Sequence, residues 1–278
     1  MQKIKGYLRL TRPANVVTAV ADILAGVAIA KYFSKGISDV SIQPVLWLCL
    51  ATACLYAGGV VLNDVFDAHL DGVERPERPI PSGLISKRAA ATFGTLLLLF
   101  GIVAAGFVHQ SFLNSSLLLA VAIAVASVLY DGWGKHHSFL GPLNMGLCRG
   151  LNLALGISIV TAALQQHWYL GLVPVVYIAA ITTISRGEVH GGSRRILYFA
   201  AFLYTLVIAA VLAFGFLNNH LLATLPFLLL FAFLIFVPLQ KAIHSPVGPL
   251  IGKAVKGGVI ALMAMNAAWA AAFGAIYL

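Results

Sequence analysis

Apolar residues run along this chain in long blocks. The segments near 14–32, 44–66, 89–109, 112–130, 140–162, 168–185, 196–216, 220–238 and 256–277 are almost free of charge. Neither the 3.6-residue stripe of an amphipathic helix nor the alternation of a half-buried strand organises them. A helix needs about 17–25 mainly apolar residues to cross the hydrocarbon of a bilayer. The pattern therefore predicts an all-α integral membrane protein with nine transmembrane helices, in a single multi-pass domain over residues 1–278.

The polar connections between the blocks alternate in character. Those after the third, fifth and seventh blocks are short and poor in charge ("HQSF", "LQQH", "NNHL"), whereas those after the second, fourth, sixth and eighth are longer and basic. Nine spans put 16 of the 18 Lys and Arg on one side and leave Lys31 and Lys35 on the other. Cytoplasmic loops carry such an excess. The N-terminus is thus expected in the cytoplasm and the C-terminus outside, with a bacterial cytoplasmic (inner) membrane as the setting.

Composition agrees with this reading: 60% of residues are hydrophobic and 10% charged, and the mean hydropathy is +0.94. Soluble domains carry roughly 25% charged residues. The start of the chain has basic residues but no signal-peptide cleavage site. Cys49, Cys54 and Cys148 lack C-x-x-C spacing and are expected as reduced packing residues. The net charge of +9 follows the membrane topology, so no nucleic-acid partner is expected.

The acids are the unexpected feature. Seven of the nine (Asp64, Asp67, Asp71, Glu74, Glu77, Asp131 and Glu188) fall at cytoplasmic ends, five of them within "VVLNDVFDAHLDGVERPERPIPSG", residues 60–83. If the second helix continues through Asp71, then Asp64, Asp67 and Asp71 share an arc of roughly 60° beside Asn63. An Asp at membrane depth costs about 2.5–3.5 kcal/mol on insertion scales, so such a row calls for a hydrated cavity or a cation. Hard oxygen donors suit Mg²⁺, which typically takes one or two carboxylates and completes its shell with phosphate oxygens. A solvated helix end and the cation pathway of a transporter remain open alternatives. Asp22, inside the first block, fits either the chamber or helix packing. His136 and His137 point about 100° apart if helical and complete no zinc set.

The stretch "NDVFDAHLD" resembles the N-D-x-x-D-x-x-x-D motif of the UbiA superfamily of intramembrane prenyltransferases. "RPERPIPSG", "RLTRPAN" and the nine-span layout are similar too, so the likeness covers essentially the whole chain. It implies an enzyme that binds an isoprenyl diphosphate through Mg²⁺ and moves the prenyl group to an acceptor, a small molecule or lipid left unidentified. Carried onto this sequence, Asp64, Asp67 and Asp71 become metal ligands, and Asn63 orients them or the phosphate. Asn15, Arg78, Lys135 and Arg149 become substrate contacts, with Asp67, Lys135 and Arg149 closest to the chemistry. "YDGWGKHHSFLGPLNMGLCRGLN" resembles the family's Tyr…Lys loop and the helix after it.

A second acidic motif of that family, similar to D-x-x-D-x-x-G-D, is reduced here to "SRGEVHGGSRR". Ser185 and Gly192 stand where two of the acids would be, and Glu188 is the remaining metal-ligand candidate. Arg186, Arg194 and Arg195 are additional positive charges, of which Arg186 and Arg194 are the substrate-binding candidates, and His190 is an extra polar group. "ISRGEVHG" is similar to a UbiA-like branch encoded in bacterial ebo gene clusters. The reduction leaves two outcomes open: turnover with guanidinium groups replacing some positive charge, or a lipid-diphosphate-binding scaffold.

Overall fold

The computed structural model describes residues 2–34, 40–188 and 191–277, so Lys35, Asp39 and His190 lie outside the described residues. Every regular element among them is helical. In chain order these are α1 (Gln2–Thr11), α2 (Pro13–Ile29), α3 (Gln43–Phe66), α4 (Ala68–Glu74), α5 (Lys87–Gly106) and α6 (Ser115–Gly132). A 3₁₀ turn (Gly134–His136) leads to α7 (Leu140–Ile157), followed by α8 (Thr161–His167) and a second 3₁₀ turn (Trp168–Gly171). The chain ends with α9 (Leu172–Ser185), α10 (Arg194–Leu217), α11 (Leu221–His244) and α12 (Gly248–Ala272).

Local sequence sets the ends of these helices. Ser86 and Asn114 accept the backbone N–H of Ala89 and Leu117, capping α5 and α6. Proline enters in the first turn of α2, α3 and α12, where its missing N–H costs nothing. Between α3 and α4 only Asp67 departs from the helix. The Asp67 N–H still reaches the Asn63 carbonyl (2.9 Å) and the Asp71 N–H the Asp67 carbonyl (2.8 Å). The acidic stretch is therefore one nearly continuous rod, as the sequence requires if its acids are to share a face.

Among the described residues, seven helical segments are long and apolar enough to cross a bilayer: α3, α5, α6, the α8–α9 run, α10, α11 and α12. The pair α1–α2, bent by 41°, makes an eighth if taken as one span. The helix that separates this count from nine is α7, whose apolar pattern is diluted by Arg149, Asn152 and several glycines. It is nonetheless central, packing against α2, α6 and α9. Glycines let α2 and α7 touch backbone to backbone. A Cβ on Gly26 would lie 2.6 Å from the Ile157 nitrogen and the Leu153 carbonyl oxygen, and one on Gly156 would lie 2.5 Å from the Ile23 carbonyl oxygen. Ile23, Leu48, Leu155, Tyr177, Phe231 and Trp269 are sealed inside, while Leu96, Phe100, Phe202, Leu222 and Phe233 face outward. An exterior this apolar suits hydrocarbon surroundings.

Candidate functional site

The rod formed by α3 and α4 presents Asn63, Asp64, Asp67 and Asp71 at one end of the bundle. Asp64 and Asp71 are buried. Three cations from separate parts of the chain converge on them. Arg12, at the break between α1 and α2, places Nη2 2.5 Å from Asp64 Oδ1. Arg78, from the turn after α4, bridges the stack, with Nη1 3.2 Å from Asp64 Oδ1 and 2.6 Å from Asp71 Oδ2. Lys135, in the 3₁₀ turn after α6, donates to Asp67 Oδ1 at 2.5 Å. Asn63 donates to Asp131 Oδ1 at 2.7 Å, which ties α3 to the end of α6.

This pairing accounts for the acidic row energetically. Like charges along one helix face repel, and burial disfavours each carboxylate, so cations brought from distant segments offset both effects. Each carboxylate also keeps an oxygen in reserve. Asp64 Oδ2, Asp67 Oδ2 and Asp71 Oδ1 accept no hydrogen bond among the described residues. No three acidic, histidine or cysteine groups among those residues enclose an ion by themselves. A Mg²⁺ that takes one or two carboxylates and draws its other oxygens from a diphosphate needs no such cage. The donor set fits that ion.

A model of the UbiA prenyltransferase family matches residues 23–248. The chain belongs to that family.

Among curated relatives of this UbiA-family protein is a digeranylgeranylglyceryl phosphate synthase of Methanoculleus marisnigri, 32% identical over 69% of this chain and 67% of its own length. The corresponding synthase of Saccharolobus solfataricus is 27% identical over 68% of this chain and 62% of its own. The matched stretches of these relatives thus span about two thirds of their length. A solved structure concerning digeranylgeranylglyceryl phosphate synthase in membranes is 25% identical, covers 100% of both chains and superposes with a TM-score of 0.71. A UbiA homologue from Archaeoglobus fulgidus, solved with GPP and Mg²⁺, is 17% identical and covers 92% of this chain and 99% of its own. Its TM-score of 0.63 is a likeness of fold. The expectation of a UbiA-type prenyltransferase therefore holds.

The remaining candidate residues of this UbiA-family protein divide between the carboxylate site and other places. Asn15 is on α2, one turn past Arg12, and its carbonyl accepts the Thr18 hydroxyl at 2.7 Å. Arg149 is not brought to the carboxylates. Its guanidinium donates to Asp22 Oδ2 (2.6 Å) and to Thr18 Oγ1 (2.5 Å). Asn152 (3.0 Å) and Asn266 (2.7 Å) complete the shell of Asp22. A buried carboxylate in the first block captures this arginine, and the pair joins α2 to α7. Arg194 is also engaged elsewhere, donating to the His244 carbonyl at 3.1 Å.

Arg186 follows α9 and donates from Nη2 to the His137 carbonyl at 2.6 Å, beside the turn that carries Lys135. Glu188 is exposed. Partial burial pushes its carboxyl up from the usual range, and Arg75 only partly offsets this. Two further residues join the carboxylate cluster beyond those that the motifs single out. Arg12 lies inside the "RLTRPAN" stretch, and its partner Asp64 is 52 residues away. Asp131 is an acid at a predicted cytoplasmic end, and only the fold supplies its partner Asn63.

Proposed function

We propose that this protein is a Mg²⁺-dependent prenyltransferase of the cytoplasmic membrane, built as a single domain with nine spans. In this reading α7 is the ninth span, its polar groups satisfied inside the bundle, and the carboxylate end faces the cytoplasm. The observation that carries it is the set of three carboxylates, each paired with a cation through one oxygen and retaining the other. Such a site could hold a metal–diphosphate complex through the free oxygens, with its own cations still near the buried charge.

Bound Mg²⁺ would supply the charge that stabilises the departing diphosphate. Asp64, Asp67 and Asp71 would hold it, with Asn63 fixing the rod against α6. Lys135 Nζ, Arg78 and Arg12, which hold these carboxylates, would offer positive charge to the phosphate oxygens. The bond between the prenyl carbon and the diphosphate oxygen breaks with its electron pair leaving on oxygen. The acceptor nucleophile then forms the new bond to that carbon and gives up a proton. The names of the relatives make a polyprenylglyceryl phosphate the first acceptor to test.

The test is diphosphate release by purified protein in lipid, offered isoprenyl diphosphates of several lengths with that acceptor, with and without Mg²⁺. Release is expected to need Mg²⁺ and to fall by about 10²-fold or more in Asp67→Ala, the size of loss typical when one charge-stabilising group is removed. A second reading, a lipid-diphosphate-binding scaffold, is favoured by one feature, the single exposed acid Glu188 near the end of α9. Saturable binding without release in any acceptor's presence would establish it instead.

A further inference from the structure

The groups that can hold a diphosphate are unevenly distributed around the site. The carboxylates Asp64, Asp67, Asp71 and Asp131 come from α3, α4 and the end of α6, and they already carry Arg12, Arg78, Lys135 and Asn63. The end of α9 offers something different. Ser185 Oγ donates back to the Thr182 carbonyl at 2.9 Å and is a neutral oxygen. Arg186 has no carboxylate within ion-pair distance among the described residues. Its guanidinium is nonetheless held in place.

The seat is made of bare backbone. Arg186 Nη2 donates to the His137 carbonyl at 2.6 Å. A Cβ built on Gly141 would meet Nη2 at 3.2 Å, the Gly134 carbonyl oxygen at 3.1 Å and Lys135 Cα at 3.5 Å. A chain of contacts thus runs from Asp67 through Lys135 and its turn to Arg186. Among the described residues only Nη2 of the guanidinium is used, which leaves donors suited to two phosphate oxygens.

Resting on the prenyl-diphosphate reading above, we infer that this site takes one divalent cation rather than two, with Arg186 supplying the second positive centre on the diphosphate. The ion sits with the Asp64–Asp67–Asp71 carboxylates. Arg186, steered by Gly141 and the His137 carbonyl, pairs with the phosphate that the ion does not cover. Guanidinium is permanently charged and matches phosphate in a planar, two-toothed geometry. It does there what an ion held by several carboxylates would otherwise do.

The experiment counts metal directly and needs no turnover. Protein in nanodiscs is equilibrated with Mn²⁺ and a geranylgeranyl thiolodiphosphate, whose C–S bond resists ionisation, and bound Mn²⁺ and analogue per chain are measured. One Mn²⁺ per analogue is expected, and two would overturn the inference. Arg186→Gln is expected to weaken analogue binding about 10- to 100-fold with the Mn²⁺ count still one, while Arg186→Lys recovers part of the loss. Unchanged affinity in Arg186→Gln would also overturn it. Arg186 is exposed, so melting temperature should be unaffected, and that measurement separates lost binding from lost folding. Failure of the native chain to bind the analogue at all would bring down the prenyl-diphosphate reading itself, whereas tight binding with two Mn²⁺ would remove only the one-ion inference.

Discussion

At the scale of single residues, the Asp22–Arg149 pair shows how a charge is made tolerable inside a bilayer. Both side chains are buried. Asp22 stands about 14 Å along α2 from its start, at 1.5 Å per residue. Its two oxygens accept from Arg149, Asn152 and Asn266, and Thr52 donates to Asn152 at 2.6 Å, so α2, α3, α7 and α12 meet at one satisfied polar node. Removing one partner of such a pair strands the other. Arg149→Ala is expected to destabilise the protein by about 3–5 kcal/mol, whereas replacing both charges with apolar groups costs less and leaves only the neutral Asn152, Asn266 and Thr18 short of a partner. The double variant Asp22→Leu, Arg149→Met should therefore melt in detergent well above Arg149→Ala. If the double variant also retains diphosphate affinity, Arg149 acts only through packing. A loss of affinity with restored melting would return it to the substrate.

At the scale of elements, the site depends on two junctions. One is the break between α1 and α2, where Arg12 adopts φ 46°, ψ 63° immediately before Pro13. A side-chain-bearing residue pays for this left-handed conformation, and the Arg12–Asp64 pair helps to hold it. The other is the α2–α7 contact at Gly26 and Gly156, which keeps Asp22 within reach of Arg149. Here a methyl group would press on backbone atoms that cannot rotate away. Gly26→Val is expected to lower stability by about 1–3 kcal/mol or more, the range for overpacked contacts, and to reduce folded yield. The same change at Gly252, where an added Cβ meets nothing within 4 Å, should leave the melting temperature nearly unchanged.

At the scale of the whole molecule, the parity of the spans decides where the chain ends. Counting α7 as a span, the bundle has nine and its termini lie on opposite faces. Without it there are eight, and the termini share a face. A C-terminal alkaline phosphatase fusion should be active, and a fusion in the loop at residues 136–139 inactive. An inactive C-terminal fusion would take α7 out of the spanning set. The basic residues bear on the same question, since the partition of 16 against two requires α7 to cross, and without that crossing Arg186, Arg194, Arg195, Lys241, Lys253 and Lys256 change sides.

Much of this architecture was legible in the sequence because the bilayer imposes it locally. Length of apolar run, turn chemistry and charge asymmetry are properties of neighbouring residues, and the helices observed at 43–66, 87–106, 115–132 and 194–217 follow the blocks that predict them to within a few residues. The acidic face also needed only helical geometry, and the motif on it resembles that of the family to which the chain belongs. The partners of each charge were another matter. Asp64 lies 52 residues from Arg12, and Asp67 lies 68 residues from Lys135. Asp22 lies 127 residues from Arg149 and 244 from Asn266. Strong short-range interactions decide those pairings, and only tertiary packing fixes which side chains come within reach. The sequence alone thus determined a membrane-embedded helical enzyme of the UbiA family with most of its acids at one end. The tertiary structure decided which cations hold those acids, that Arg149 pairs with Asp22, and that Arg186 is the arginine seated beside the turn that carries Lys135.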